Sequence, residues 1–144
     1  MKSKLTLIIS IVVSSMLLFA CFPVSEQASI EIPCDDFQSI QHGIQHARNE
    51  IEVGVGASVT VTLCSNPTTG FEWSEQISEP NVLQQIQHEA VPPEAKGVPG
   101  APGKEVWTFK ALEQGICIVS MDYSRPWEGG EKGAWTYTLT VVVK

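Results

Sequence analysis

The chain has 144 residues, with 9 Lys and Arg against 16 Asp and Glu, and a formal net charge of −7. That length suits one domain around a single core. The acidity argues against nucleic acid or an anionic lipid surface as a partner, because both recruit proteins through basic faces.

Lys2 and Lys4 precede LTLIISIVVSSMLLFA, an uncharged apolar run that ends at Ala20. A basic start, a short apolar stretch and a small residue before the cut mark a secretory signal over residues 1–20. A membrane-spanning helix needs about 20 apolar residues, so a cleaved segment fits better. LFAC, residues 18–21, resembles a bacterial-type lipobox, with Phe19 as a departure at the position two before Cys21. That resemblance implies acylation of Cys21, and two or more acyl chains anchor a protein firmly to a membrane. The expectation is an exported protein, lipid-anchored to the cell envelope or free in the periplasm or extracellular space. Loss of Lys2 and Lys4 leaves Cys21–Lys144 with two fewer positive charges.

Residues 21–49 read as a tether and N-terminal extension. FPVSEQASIEIPC, 22–34, lacks strong periodicity, whereas Phe37, Ile40, Ile44 and Ala47 follow three- and four-residue steps that predict a short helix within 35–50 despite Gly43. His42 and His46 stand four apart, but Gly43 weakens the helix that would bring them together, and both are expected to face solvent. His88 has no partner evident in the sequence.

From residue 50 onward the period is two. Val59, Val61 and Leu63 alternate with Thr60, Thr62 and Cys64; Trp107, Phe109 and Ala111 alternate with Val106, Thr108 and Lys110. Cys117, Val119, Met121 and Tyr123 share one face, as do Trp135, Tyr137, Leu139, Val141 and Val143. β-Branched and aromatic residues at this spacing predict half-buried strands. Glycine-bearing turns at 54–57, 111–115 and 125–133 separate them, so residues 50–144 are expected to form an all-β sandwich with antiparallel connections.

Three turns carry more specificity than a turn requires. In NPTTGF, Asn66 opens the turn, Pro67 fixes its backbone angle, Thr68 and Thr69 occupy the tip, Gly70 permits a positive φ, and Phe71 with Trp73 anchors the returning strand. GVPGAPG, 97–103, is bare but stiff and suits main-chain pairing with another protein. SRPWEGG presents Arg125 and Trp127 around Pro126, two residue types enriched at the energetic centres of interfaces.

Taken together, NPTTGFEW at 66–73, GAPG at 100–103 followed by Trp107, and RPWE at 125–128 resemble the chagasin family, inhibitors of papain-like cysteine peptidases. The likeness covers roughly residues 50–144. It implies an immunoglobulin-like sandwich whose three loops form one wedge that binds reversibly and tightly in the peptidase cleft. Pro67, Thr68, Thr69 and Gly70 would then meet the active site, with Asn66 and Phe71 among the peptidase-binding residues of the same loop. Gly100, Ala101, Pro102 and Gly103 would lie along the unprimed side, and Arg125, Pro126 and Trp127 along the primed side. Pro102 stands where the family often has glycine, and its missing amide hydrogen removes one possible bond to the enzyme. The implied partner is a papain-like cysteine peptidase, met by a monomer. A competing reading is an immunoglobulin-like adhesion or assembly module of the envelope.

Nothing in the sequence calls for a metal or cofactor. Cys64 and Cys117 lie in predicted strands without a nucleophile signature around them, so no enzymatic role is expected. Export favours a disulfide among Cys34, Cys64 and Cys117. If the first and third loops share one end, Cys64 and Cys117 sit about 20 Å apart along the strands, beyond disulfide reach. Cys34 paired with either one remains open.

Overall fold

Period-two alternation becomes two packed sheets in the computed structural model, which describes residues 26–35, 46–93, 98 and 100–144. The strands are β1 (Gln27–Ile32), β2 (His46–Val53), β3 (Ser58–Ser65), β4 (Glu72–Ile77), β5 (Leu83–Val91), β6 (Gly103–Ala111), β7 (Gly115–Ser124) and β8 (Trp135–Val143). One sheet has the order β1-β3-β6-β5 and the other β2-β8-β7-β4. The result is an immunoglobulin-like β-sandwich, as the sequence predicts.

The alternating faces meet in one core. Val59, Val61 and Leu63 from β3 and Trp107, Phe109 and Ala111 from β6 are buried against Cys117, Val119, Met121 and Tyr123 from β7 and Tyr137, Leu139, Val141 and Val143 from β8. Burying such side chains stabilises by about 1.5–3 kcal/mol each before conformational entropy is counted. Trp73 also belongs to this core, and Trp135 packs against it while partly exposed.

Two N-terminal elements differ from expectation. Gln27–Ile32, read as aperiodic tether, forms β1 and pairs in parallel with β3, from Gln27 opposite Ser58 to Ile32 opposite Leu63. His46–Glu50, expected at the end of a helix, begins β2, which pairs in parallel with β8. Ala47, Ile51 and Val53 face the core, so pairing along β8 outweighs the helical spacing. The rest of the expected helix, His42, the signal segment 1–20 and Cys21 lie outside the described residues.

β5 was not evident from alternation because its register shifts between Gln85 and Gln87. Ile86 is the extra residue and is exposed. Such a bulge moves the following side chains to the other face and blunts an edge strand.

Cys34 and Cys64 form a disulfide, with their Cα atoms 4.9 Å apart, and Cys117 is free and buried. The β1–β3 register explains the choice. Ile32 lies opposite Leu63, so Cys34 leaves β1 beside Cys64.

Candidate binding loops

Three connections gather at one end of the sandwich: β3 to β4 (residues 66–71), β5 to β6 (92–102) and β7 to β8 (125–134). Hydrogen bonds join them. The Asn66 side-chain amide donates to the Gly100 carbonyl at 3.0 Å, and Arg125 Nε donates to the Thr69 carbonyl at 3.4 Å. The expected loop residues are therefore brought together, with the first loop between the other two.

The first loop is a single 3-10 turn over Pro67–Thr69. Its shape is encoded locally. Asn66 Oδ1 accepts from the Thr68 amide at 3.3 Å and from the Thr68 hydroxyl at 2.6 Å, while the Thr69 hydroxyl donates to the Asn66 carbonyl at 2.6 Å. Gly70 closes the turn at φ 77°, its amide donating to the Pro67 carbonyl at 3.1 Å. A glycine accepts that left-handed conformation without the penalty an L side chain meets. Pro67, Thr68 and Thr69 are exposed at the tip, and Phe71 is half-buried beneath it.

The support under this turn is aromatic. Tyr123, at the end of β7, stacks between Phe71, with centroids 5.2 Å apart, and Trp135 at 4.8 Å. Its hydroxyl accepts a hydrogen bond from the Asn66 amide at 2.7 Å. Arg125 lies over the opposite partner, its guanidinium 4.5 Å from the Phe71 ring centroid. Trp73 Nε1 donates to the Cys64 carbonyl at 2.9 Å, two residues before the turn, and the Cys34–Cys64 disulfide clamps the same strand end.

In the second loop, Gly100 and Pro102 are exposed and Ala101 is partly so. Gly103 differs: it is the buried first residue of β6, and a Cβ there would stand 2.5 Å from the Val91 carbonyl oxygen. Its lack of a side chain is what permits β5 and β6 to approach at the base of the loop. Gly97 and Pro99 lie outside the described residues.

The third loop folds on its own backbone. The Arg125 amide donates to the Glu131 carbonyl at 2.8 Å, and Gly130 closes a turn onto the Trp127 carbonyl at 3.1 Å. The Lys132 ammonium donates to the Arg125 carbonyl and, at 3.3 Å, to the Trp127 carbonyl. Pro126 is exposed, and Trp127 is 52% exposed although its ring edge touches Gly70.

Tyr123 and Lys132 were not singled out from the sequence. Tyr123 was legible only as one member of an alternating strand face, and Lys132 as one charge in a glycine-rich turn. His88 does have partners: its Nε2 is 2.9 Å from Glu105 Oε2, and its ring stacks on Trp107 with centroids 4.5 Å apart. His46 is exposed on β2 with Nδ1 2.8 Å from the Thr136 hydroxyl. Among the described residues, no three His, Cys, Asp or Glu side chains are grouped to hold a metal ion.

The arrangement is a β-sandwich that presents one braced, three-loop edge. Comparison with known sequences gives its family. The profile described as Chagasin family peptidase inhibitor I42 matches residues 52–141. Chagasin of Trypanosoma cruzi is 30% identical over 106 residues, covering 69% of this chain and 96% of that protein. Amoebiasin-2 of Entamoeba histolytica is 28% identical over 88 residues, covering 60% of this chain and 70% of that protein. The chain belongs to the chagasin family of peptidase inhibitors and is not an enzyme.

Solved structures agree on the fold. The crystal structure of the cysteine protease inhibitor EhICP2 from Entamoeba histolytica superposes with a TM-score of 0.64 at 20% identity, covering 85% of this chain and all of that one. PbICP-C, solved in complex with falcipain-2, gives 0.55 at 19% identity, covering 81% and 99%.

Proposed function

We infer that this protein is a reversible, tight-binding inhibitor of papain-family cysteine peptidases, and that its three loops enter the active-site cleft together. The observation that carries this reading is the cross-bracing of the loops, Asn66 to Gly100 and Arg125 to Thr69, on a chagasin-family sandwich. Loops already held by their own hydrogen bonds lose little conformational entropy on binding, which favours affinity.

The exposed Pro67–Thr69 tip approaches the catalytic centre, Gly100–Pro102 the unprimed side, and Arg125–Trp127 the primed side. Inhibition is occupancy without chemistry. The 3-10 turn curls the main chain at Pro67–Thr69, so no extended peptide bond is offered at the geometry a thiolate needs for attack. Pro102 carries no amide hydrogen, so pairing on the unprimed side relies on its neighbours. The protein acts as a monomer, exported and held to the envelope by acylated Cys21.

Titration of papain and of a cathepsin L-type enzyme tests the function. Activity should fall in proportion to inhibitor added, the protein should remain uncleaved, and serine peptidases should be unaffected. No inhibition of a papain-like enzyme at micromolar protein would refute the reading. Thr68→Arg combined with Thr69→Glu should abolish inhibition while the sandwich stays folded. Normal inhibition by that variant would remove the first loop from the cleft.

A further inference from the structure

Glu26, the first described residue, is fixed at the pole opposite the three loops. The Glu26 carbonyl accepts from the Ser58 amide at 2.9 Å, and its carboxylate accepts from the Gly54 amide at 3.1 Å, so the chain enters β1 against the β2–β3 turn. That turn is bonded to the end of β6 through Gly56 and Ala111 at 2.9 Å, and to the last residue through Val55 and Lys144 at 3.2 Å. β1 runs parallel to β3, which ends at Ser65 immediately before the first loop. Eight residues of β3 set the two poles roughly 25 Å apart.

Two further observations bear on what lies beyond that pole. Cys21 precedes Glu26 by five residues, a reach of at most about 18 Å. Val55, Leu112 and Ile116 are exposed there, with Ile118 next along the same face of β7.

We propose that this pole is a membrane-facing surface, and that the anchored protein stands with its three loops directed away from the bilayer, free to take a soluble peptidase. The proposal rests on the reading of Cys21 as acylated and of the loops as inhibitory. The occupant is a lipid surface because a tether this short cannot let the loop end face the same membrane without pulling Glu26 and β1 away from Gly54 and Ser58. Charge does not draw the pole inward: Glu26, Glu52, Glu79 and Glu113 are exposed there beside Lys110 and Lys144. Attachment therefore comes from the acyl chains, with Val55 and Leu112 at the turn tips meeting the interface. The chain without acyl groups stays in solution.

The test uses the full lipidated chain in phosphatidylcholine vesicles beside a soluble Cys21→Ala chain. Papain titrated against the outward-facing vesicle-bound protein should be inhibited as well as by the soluble chain, within about threefold. Amide exchange should slow at 54–56 and 112–115 on vesicles and stay unchanged at 66–71 and 125–133. Slower exchange at the loops, or inhibition weakened about tenfold or more on vesicles while the soluble chain inhibits normally, would overturn the orientation. Failure of the lipidated chain to sediment with vesicles would overturn it through the anchor. If neither chain inhibits papain but the turns are protected, the orientation stands and the inhibitory reading falls.

Discussion

Trp127 lies across Gly70 so closely that a Cβ on Gly70 would stand 2.6 Å from Trp127 Cη2. The contact couples the first loop to the third through a residue with no side chain, and Gly70 also sits at φ 77°. Gly70→Ala should therefore cost about 1–2 kcal/mol in stability from the backbone alone. It should also displace Trp127 and weaken peptidase binding beyond what the stability loss explains. Urea midpoints and papain titration, measured side by side, separate the two effects.

Trp127 itself carries little of the fold, being half exposed at a loop tip. Trp127→Ala should weaken inhibition by about 2 kcal/mol or more, near 30-fold, as interface aromatics do. Its unfolding midpoint should barely move. Unchanged affinity would take the third loop out of the interface.

Tyr123→Phe keeps the stacked ring between Phe71 and Trp135 and removes the hydroxyl that accepts from the Asn66 amide. Leaving that amide without its partner should cost about 1–3 kcal/mol. Exchange of the Asn66 amide should rise, and inhibition should weaken, because the turn loses the post beneath its first residue. Wild-type exchange at Asn66 in the variant would show that the bond contributes nothing.

The Cys34–Cys64 bond closes a separation of 30 residues and holds β1 to the base of the first loop. Replacing both cysteines by serine should lower stability by about 2–4 kcal/mol. Thermal unfolding with and without reductant checks this: reductant should lower the wild-type midpoint toward that of the variant and leave the variant unmoved. The comparison matters in practice, since thiols are added to keep cysteine peptidases active and thiolates are the groups that attack disulfides.

Burial pushes the Tyr137 hydroxyl above its ordinary value of 10, and among the described residues it has no hydrogen-bond partner. A group that holds its proton more tightly folded than unfolded contributes stability below the unfolded value, and that stability is lost as pH rises above about 10. Tyr137→Phe should flatten the alkaline side of the stability profile and leave stability near pH 7 equal or higher, because an unpaired polar atom leaves the core. A steeper alkaline loss in the variant would contradict this.

Strands with one face fully buried were readable from alternation: β6, β7 and β8 follow it apart from the partly exposed Trp135, and β3 follows it as far as Leu63, after which the disulfide-bonded Cys64 and Ser65 are buried as well. β1 alternates too, with Ala28, Ile30 and Ile32 facing inward, but it is short and half-exposed at a sheet edge, so its signal is diluted. β5 hides its period behind the bulge at Ile86. The loop motifs stood out because proline, glycine and asparagine have specific backbone consequences. Their supports did not, since the Tyr123 to Asn66 bond spans 57 residues and the Asn66 to Gly100 bond 34. Choosing Cys64 over Cys117 as the partner of Cys34 needed the parallel register of a strand the sequence concealed.

The parallel pairing of β2 with β8 has a consequence for how the chain becomes a protein. β8 is the last strand made, yet it lies inside its sheet, between β2 and β7. His46 must wait for Thr136, ninety positions later, before its strand has a neighbour. Pairings this distant are slow to form because the intervening chain must be ordered first. The second sheet is therefore completed only after β8 has been made. A chain stopped before Trp135 would keep all three loop sequences whole and still leave β2 and β7 without the strand that joins them.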